Sequence, residues 1–232
     1  METIISMETK QVNSLCDFPV FKTQNDLTLC SFLSSKKQID LKKGEILFLE
    51  KEQYKGVYFI CSGLLKIYHT KSKKHEFILG LGQKWDIIGI DSIISNNPYP
   101  HSVKVVSDAK AYFLSPDEML ELFGTNTDLR FGFLKEVCSN IKKIENRITS
   151  IVNKRIKGQL AEILLVSSDC ENNYAASVKL SIQDISKLIG TTQNYIYKII
   201  SDFTENKLIK IENKKIKIIN SSELSVIANG LE

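Results

Sequence analysis

From residue 38 to residue 114 the hydrophobic positions fall in short runs or alternate with polar ones, at 45–49, 57–60, 64–68, 77–79, 103–106 and 111–114. The runs are rich in Val, Ile, Tyr and Phe, and clusters of Gly, Asn, Pro and Lys separate them at intervals of roughly 8 to 12 residues. β-Branched and aromatic side chains suit a pleated, half-buried surface, so the pattern predicts the strands of an antiparallel sandwich or barrel. Gly44, Gly56 and Gly63 are expected to relieve turns that need a positive φ.

The period changes at Ser115-Pro116-Asp117-Glu118, which reads as a helix start: Ser as N-cap, Pro at the first helical position and Glu three residues on to close a capping box. Beyond it Leu134, Val137, Ile141, Ile144, Ile148 and Ile151 are spaced 3, 4, 3, 4 and 3. That is the a/d seam of a coiled coil on a helix over about 128–153. A stripe this narrow suits a second copy of the chain better than a sheet, so these six residues are the expected dimer interface. A further helix is predicted over 156–167, with Leu160, Ala161, Ile163 and Leu164 on its apolar side, followed by a polar loop at 169–174.

Residues 180–200 then read as two helices around a tight turn. Ser181 and Asp184 form a capping box, Ile182, Ile185, Leu188 and Ile189 make a buried face, and Gly190 turns the chain. The second helix begins near Thr192. Its apolar positions Ile196, Ile199, Ile200 and Phe203 leave Gln193, Asn194, Tyr197, Lys198 and Ser201 facing outward. Amide, phenol, hydroxyl and amine groups are the donors and acceptors that suit base edges and phosphates in a major groove. Residues 208–219 follow as strand, turn and strand, carrying Lys210, Lys214, Lys215 and Lys217 on a small basic hairpin. Such a wing neutralises phosphates in a salt-dependent manner. Thr192, Gln193, Asn194, Tyr197, Lys198, Lys214 and Lys215 are therefore the candidate DNA contacts.

Charge sharpens this picture only modestly. Among 232 residues, 31 Lys and Arg against 27 Asp and Glu leave a net charge of +4, and the whole excess lies beyond residue 140. No run approaches the roughly 18–20 apolar residues of a membrane span, and residues 1–10 hold no apolar stretch of signal-peptide length. The expectation is a cytoplasmic protein without membrane association. Five cysteines, Cys16, Cys30, Cys61, Cys138 and Cys170, include no CxxC pair and are read as reduced thiols rather than metal ligands. No Ser-His-Asp order, carboxylate pair or P-loop can be placed, and Gly80-Leu81-Gly82 with no following helix is not a dinucleotide fingerprint, so no enzyme is expected.

The order of β-domain, long helix and winged helix-turn-helix resembles the cyclic-AMP receptor protein and fumarate–nitrate regulator (Crp/Fnr) family of bacterial transcription factors. Lys43-Gly44-Glu45 followed by the stretch from Gly56 to Gly63 is similar to the family's sheet signature, and Ile182 to Ile200 is similar to its helix-turn-helix. The resemblance covers roughly residues 18–222. It implies an α+β protein: an N-terminal double-stranded β-helix (jelly-roll) sensor of the cyclic-nucleotide-binding type over 1–126, a dimerisation helix over 127–153 and a winged helix-turn-helix over 154–232. It further implies a homodimer on double-stranded DNA with a palindromic operator, and RNA polymerase as a partner if the protein activates.

The effector site is where the chain departs from the family. Nucleotide-binding members carry a Gly-Glu pair and, about ten residues on, an Arg-Ser pair. Here Gly89 precedes Ile90, and His101-Ser102 stands where Arg-Ser would. The nucleotide binders' Thr-Ser pair on the long helix falls at Ile144-Glu145. Ile accepts no ribose hydrogen bond, and a largely neutral His is a poor substitute for a bidentate guanidinium on phosphate. Gly89, Ile90, His101, Ser102 and Ile144 thus outline a candidate pocket for an unknown small-molecule effector other than cyclic AMP. The oxygen sensors' N-terminal cysteine cluster is absent, and His69, His75 and His101 are isolated, so no cofactor is expected. The alternative function is a β-roll ligand-binding module acting through protein–protein contacts.

Overall fold

The computed structural model describes residues 14–21, 27–72, 75–125, 127–168, 178–213 and 215–230, with the side chains of 27, 28, 30, 71, 72, 75 and 125 left aside. Residues 1–10, the loop at 169–174, Cys170 and Lys214 lie outside the described residues. The chain divides into two compact units, one within 11–143 and the other beginning at Ile144.

In the first unit a 3-10 turn (Leu15–Asp17) and helix α1 (Leu27–Ser35) precede β1 (Gln38–Leu41), β2 (Ile46–Phe48), β3 (Val57–Ser72), β4 (His75–Gly82) and β5 (Ile87–Ile88). Then come α2 (Ile90–Ser95), β6 (Ser102–Leu114) and α3 (Pro116–Thr125). All pairings are antiparallel, in the order β1-β6-β3-β4, with β2 on β6 and β5 on β3. The runs at 57–60 and 64–68 are one strand rather than two, as are those at 103–106 and 111–114. β3 and β6 pair continuously from Val57↔Leu114 to Tyr68↔Ser102, with register shifts between Ile60 and Leu65. Gly63 sits in that irregular stretch with φ 91°, and a Cβ there would lie 2.3 Å from the Cβ of Ala109. It therefore serves a bulge inside a strand, not a turn between two.

Period-two alternation sorts the strand residues into two cores. Ile60, Leu65, Ile88, Val103, Val105 and Ala111 gather with Phe48 and Tyr99 inside the roll. Their neighbours Phe59, Ile87, Tyr112 and Leu114 face the other way, onto Phe18, Leu33, Met119, Leu122 and Phe133 of the turn and helices. Phe59 meets Phe18 edge to face at 5.3 Å. Each such side chain contributes roughly 1.5–3 kcal/mol of burial, which fastens the helices to the sheet. The Ser115 cap forms as expected: its amide donates to Glu118 Oε2 at 2.7 Å, and the Glu118 amide donates to Ser115 Oγ at 3.4 Å.

Helix α4 (Thr127–Asn153) contributes to both units. The second continues with α5 (Ile156–Val166), α6 (Ile182–Ile189), α7 (Gln193–Glu205), the hairpin β7 (Ile209–Glu212) and β8 (Lys215–Ile218), and α8 (Ser221–Ala228). Its core joins Leu160 and Leu164 of α5, Ile185 and Leu188 of α6, Ile196 and Phe203 of α7, and Ile209, Ile216 and Leu224, all buried. Among the described residues no helix is long and apolar enough to cross a membrane.

Candidate nucleic-acid interface and effector site

The α6–α7 pair is fixed by local chemistry. The Asp184 amide donates to Ser181 Oγ at 3.0 Å and starts α6. Gly190 ends it in the left-handed region (φ 80°, ψ 34°), its amide donating to the Ser186 carbonyl. Two residues later Thr192 Oγ1 accepts from the Tyr195 amide at 3.3 Å and starts α7. Ile196, Ile199, Ile200 and Phe203 point into the core, which leaves Thr192, Gln193, Asn194, Tyr197, Lys198 and Ser201 exposed. Ser201 Oγ is engaged by Glu205 at 3.2 Å. Among the described residues, the side chains of Gln193, Asn194, Tyr197 and Lys198 hold no hydrogen bond.

The hairpin is less basic in effect than its sequence. Cross-strand register sets Lys210 opposite Lys217 and Glu212 opposite Lys215, so these four share one face. Glu212 binds Lys210 Nζ at 2.7 Å and Lys217 Nζ at 2.6 Å, and these bonds, Lys210's the larger, bring its carboxyl pKa down to about 2. Lys215 is exposed and holds no ion pair among the described residues.

Two features escape sequence reasoning. The guanidinium of Arg147, on α4, donates from Nη2 to the Leu188 carbonyl in the last turn of α6 at 2.7 Å. It is half-buried, and burial lowers its pKa below the ordinary guanidinium range. The cation meets the negative end of the α6 dipole. Nearby, Ser150 Oγ and Lys154 Nζ both bind Glu162 Oε2, at 2.7 and 2.9 Å, and Gln159 Nε2 donates to the Lys154 carbonyl at 3.0 Å. The last turns of α4 are thereby tied to α5 and α6. Nothing in the spacing of these polar residues marks the pairings, which are not periodic.

Along α4, Leu134, Ile141, Ile144, Ile148 and Ile151 are each at least half exposed, whereas Val137 is half-buried. Phe131, three residues before Leu134, adds another exposed ring, 58% accessible.

In the roll, Gly89 stands at the start of α2, and Ile90 is buried in the core that binds helices to sheet. Ser102 is buried, its Oγ accepting from the Glu50 amide at 2.9 Å and sharing a hydrogen bond with the Tyr68 hydroxyl. The Glu50 carboxylate in turn meets His69 Nδ1 at 2.9 Å. His101 is half-buried; burial pushes its pKa below 6.5, only partly opposed by the Asp91 carboxylate. Its neutral ring lies beside acidic groups. Tyr99 stacks on Phe48 at 3.6 Å, and its hydroxyl donates to the Gly56 carbonyl at 2.8 Å. Ile144 belongs to the other unit.

The structure thus combines a β-roll with a helix-turn-helix pair and a β-hairpin. The cyclic nucleotide-binding domain family matches residues 38–126. The "CRP-like cAMP-activated global transcriptional regulator" of Mycobacterium tuberculosis is 20% identical over 211 residues, covering 89% of this chain and 94% of that protein. The "Fumarate and nitrate reduction regulatory protein" of Yersinia pestis is 24% identical, covering 94% and 88%. Among solved structures, FixK2 from Bradyrhizobium japonicum superposes with a TM-score of 0.72 at 15% identity, over 83% of this chain and 96% of that one. A CRP/FNR-family transcriptional regulator from Thermus thermophilus gives 0.69 at 14% identity, over 83% and 98%. Over most of its length the chain is thus similar to transcription regulators of the Crp/Fnr type.

Proposed function

We propose that the protein is a cytoplasmic homodimer that binds an inverted-repeat operator through α7 and the β7–β8 wing, with an effector other than cyclic AMP. Residues 1–126 would sense, 127–153 dimerise and 154–232 bind DNA. The observation that carries the reading is the free polar face of Gln193, Asn194, Tyr197 and Lys198, presented on a capped helix whose other face is core. The apolar stripe from Leu134 to Ile151 supports two-fold pairing, since water-exposed aliphatic side chains each forgo roughly 1.5–3 kcal/mol of burial. A symmetric dimer presents two recognition helices to half-sites about one helical turn apart. Against cyclic AMP stand the buried Ile90, the neutral His101 and the Glu50 carboxylate beside His69, where a phosphate would meet negative charge.

Sedimentation, footprinting and calorimetry test the whole reading together. The wild-type chain should sediment as a dimer and protect a palindrome, while Ile141→Lys with Ile148→Lys should give monomers with weak operator binding. Cyclic AMP should give no micromolar heat signal and no gain in operator affinity; micromolar binding accompanied by tighter operator affinity would overturn the effector argument.

A further inference from the structure

We propose that α7 reads adenine: each operator half-site carries two neighbouring A·T pairs whose adenines face the Gln193 and Asn194 amides in the major groove. The inference rests on the reading that α7 enters DNA, and adds the base class it selects. Four exposed side chains on this face are free to meet bases, and their chemistry is restricted: two amides, a phenol and an ammonium. The usual bidentate reader of guanine, a guanidinium, is missing from α7, because the chain's arginines are Arg130, Arg147 and Arg155. The carboxylates that accept from cytosine are also spoken for. Asp202 pairs with Lys157 at 3.0 Å, and Glu205 accepts from Ser201 at 3.2 Å.

An amide carries one acceptor beside one donor, which matches adenine N6–H and N7. Guanine offers two acceptors there, so an amide would leave its own oxygen unmatched. Gln193 and Asn194 open the helix, where recognition helices meet base edges, and as successive residues they address neighbouring base pairs rather than one. Because neither amide is held by an internal hydrogen bond among the described residues, nothing must be broken before it pairs. Tyr197, one turn beyond Gln193, presents a ring that suits a thymine methyl, and Lys198, one turn beyond Asn194, supplies a single-point donor for guanine or phosphate.

The test uses the full-length protein. Selection from randomised duplexes should yield half-sites with two adjacent A·T pairs. Replacing either adenine by 7-deaza-adenine, which keeps Watson–Crick pairing and loses N7, should then weaken binding about fivefold or more. Asn194→Ala should bind the normal duplex and the duplex modified at its own adenine equally well. Guanine at these positions, or a wild-type protein indifferent to both modified adenines, would overturn the adenine assignment while leaving sequence-specific binding intact. Selection that enriches no sequence at all would overturn the DNA-reading proposal beneath it.

Discussion

Helix α7 and the candidate effector region of the roll use polar side chains in opposite ways. On α7, Gln193, Asn194, Tyr197 and Lys198 are exposed and hold no side-chain hydrogen bond among the described residues. In the roll, Ser102 is taken by the Glu50 amide, Glu50 by His69 and Tyr99 by the Gly56 backbone. A surface with free donors and acceptors gains from a partner. A site whose groups already satisfy one another must lose bonds before it gains any.

The contrast can be broken most forcefully at Ile90. If the roll were an open nucleotide site lacking only its anchors, Ile90→Glu with His101→Arg would bring cyclic AMP binding at little cost in stability. With Ile90 in the core, Ile90→Glu should instead destabilise the protein by about 3–5 kcal/mol in urea titration, through lost packing and a carboxyl forced into apolar surroundings. Next in size is Arg147→Ala, which removes a charged hydrogen bond from a half-buried helix end. It should cost about 1.5–3 kcal/mol of stability and lower operator affinity with the dimer intact by sedimentation, and Arg147→Lys should recover part of both.

Glu212→Gln should act in the opposite direction, since releasing Lys210 and Lys217 strengthens binding to specific and random DNA alike. The salt dependence should steepen by about one to two in log–log slope, and an unchanged slope would place the wing off the backbone. The smallest effect concerns pH. Because burial holds the folded His101 below its ordinary 6.5, between those two values the unfolded chain binds a proton that the folded chain does not. Stability must therefore fall as pH drops through that window. Melting temperatures at pH 7.5 and 5.5 should show a smaller loss for His101→Gln than for wild type. The Glu50 carboxyl, which the His69 hydrogen bond holds below its ordinary 4.5, loses its contribution only at lower pH and does not confuse the comparison.

Local signals were legible in the chain. The Ser115, Ser181 and Thr192 caps, the Gly190 turn and the 3-4 spacing on α4 all depend on residues within a turn or two of one another, and all stand where the pattern puts them. The α8 cap is equally local, although the pattern of apolar positions does not point to it: Asn220 Oδ1 accepts from the Glu223 amide at 3.1 Å. What pattern could not deliver was non-local. Two apolar runs interrupted by Gly63 look like two strands unless the partner strand is known. The four wing lysines look equally available until register brings Glu212 against two of them. Arg147 looks like any exposed helix residue until α6 folds against it.

The bulge at Gly63 also limits how this sheet can drift through evolution. Since a methyl at position 63 would fall within 2.3 Å of the Ala109 side chain, and within 2.5 Å of its Cα, the two positions share one small volume. Shrinking residue 109 to Gly removes one clash and leaves two with backbone, at the Cα of residue 109 and the Asp108 carbonyl oxygen, together with a φ that L-residues resist. Substitution at 63 is thus open only to lineages that first lose the bulge, which shifts the β3–β6 register by a residue and turns every inward side chain beyond it outward. Sequence change along this ribbon should therefore proceed in blocks, with position 63 held as glycine while its neighbours vary freely within their face.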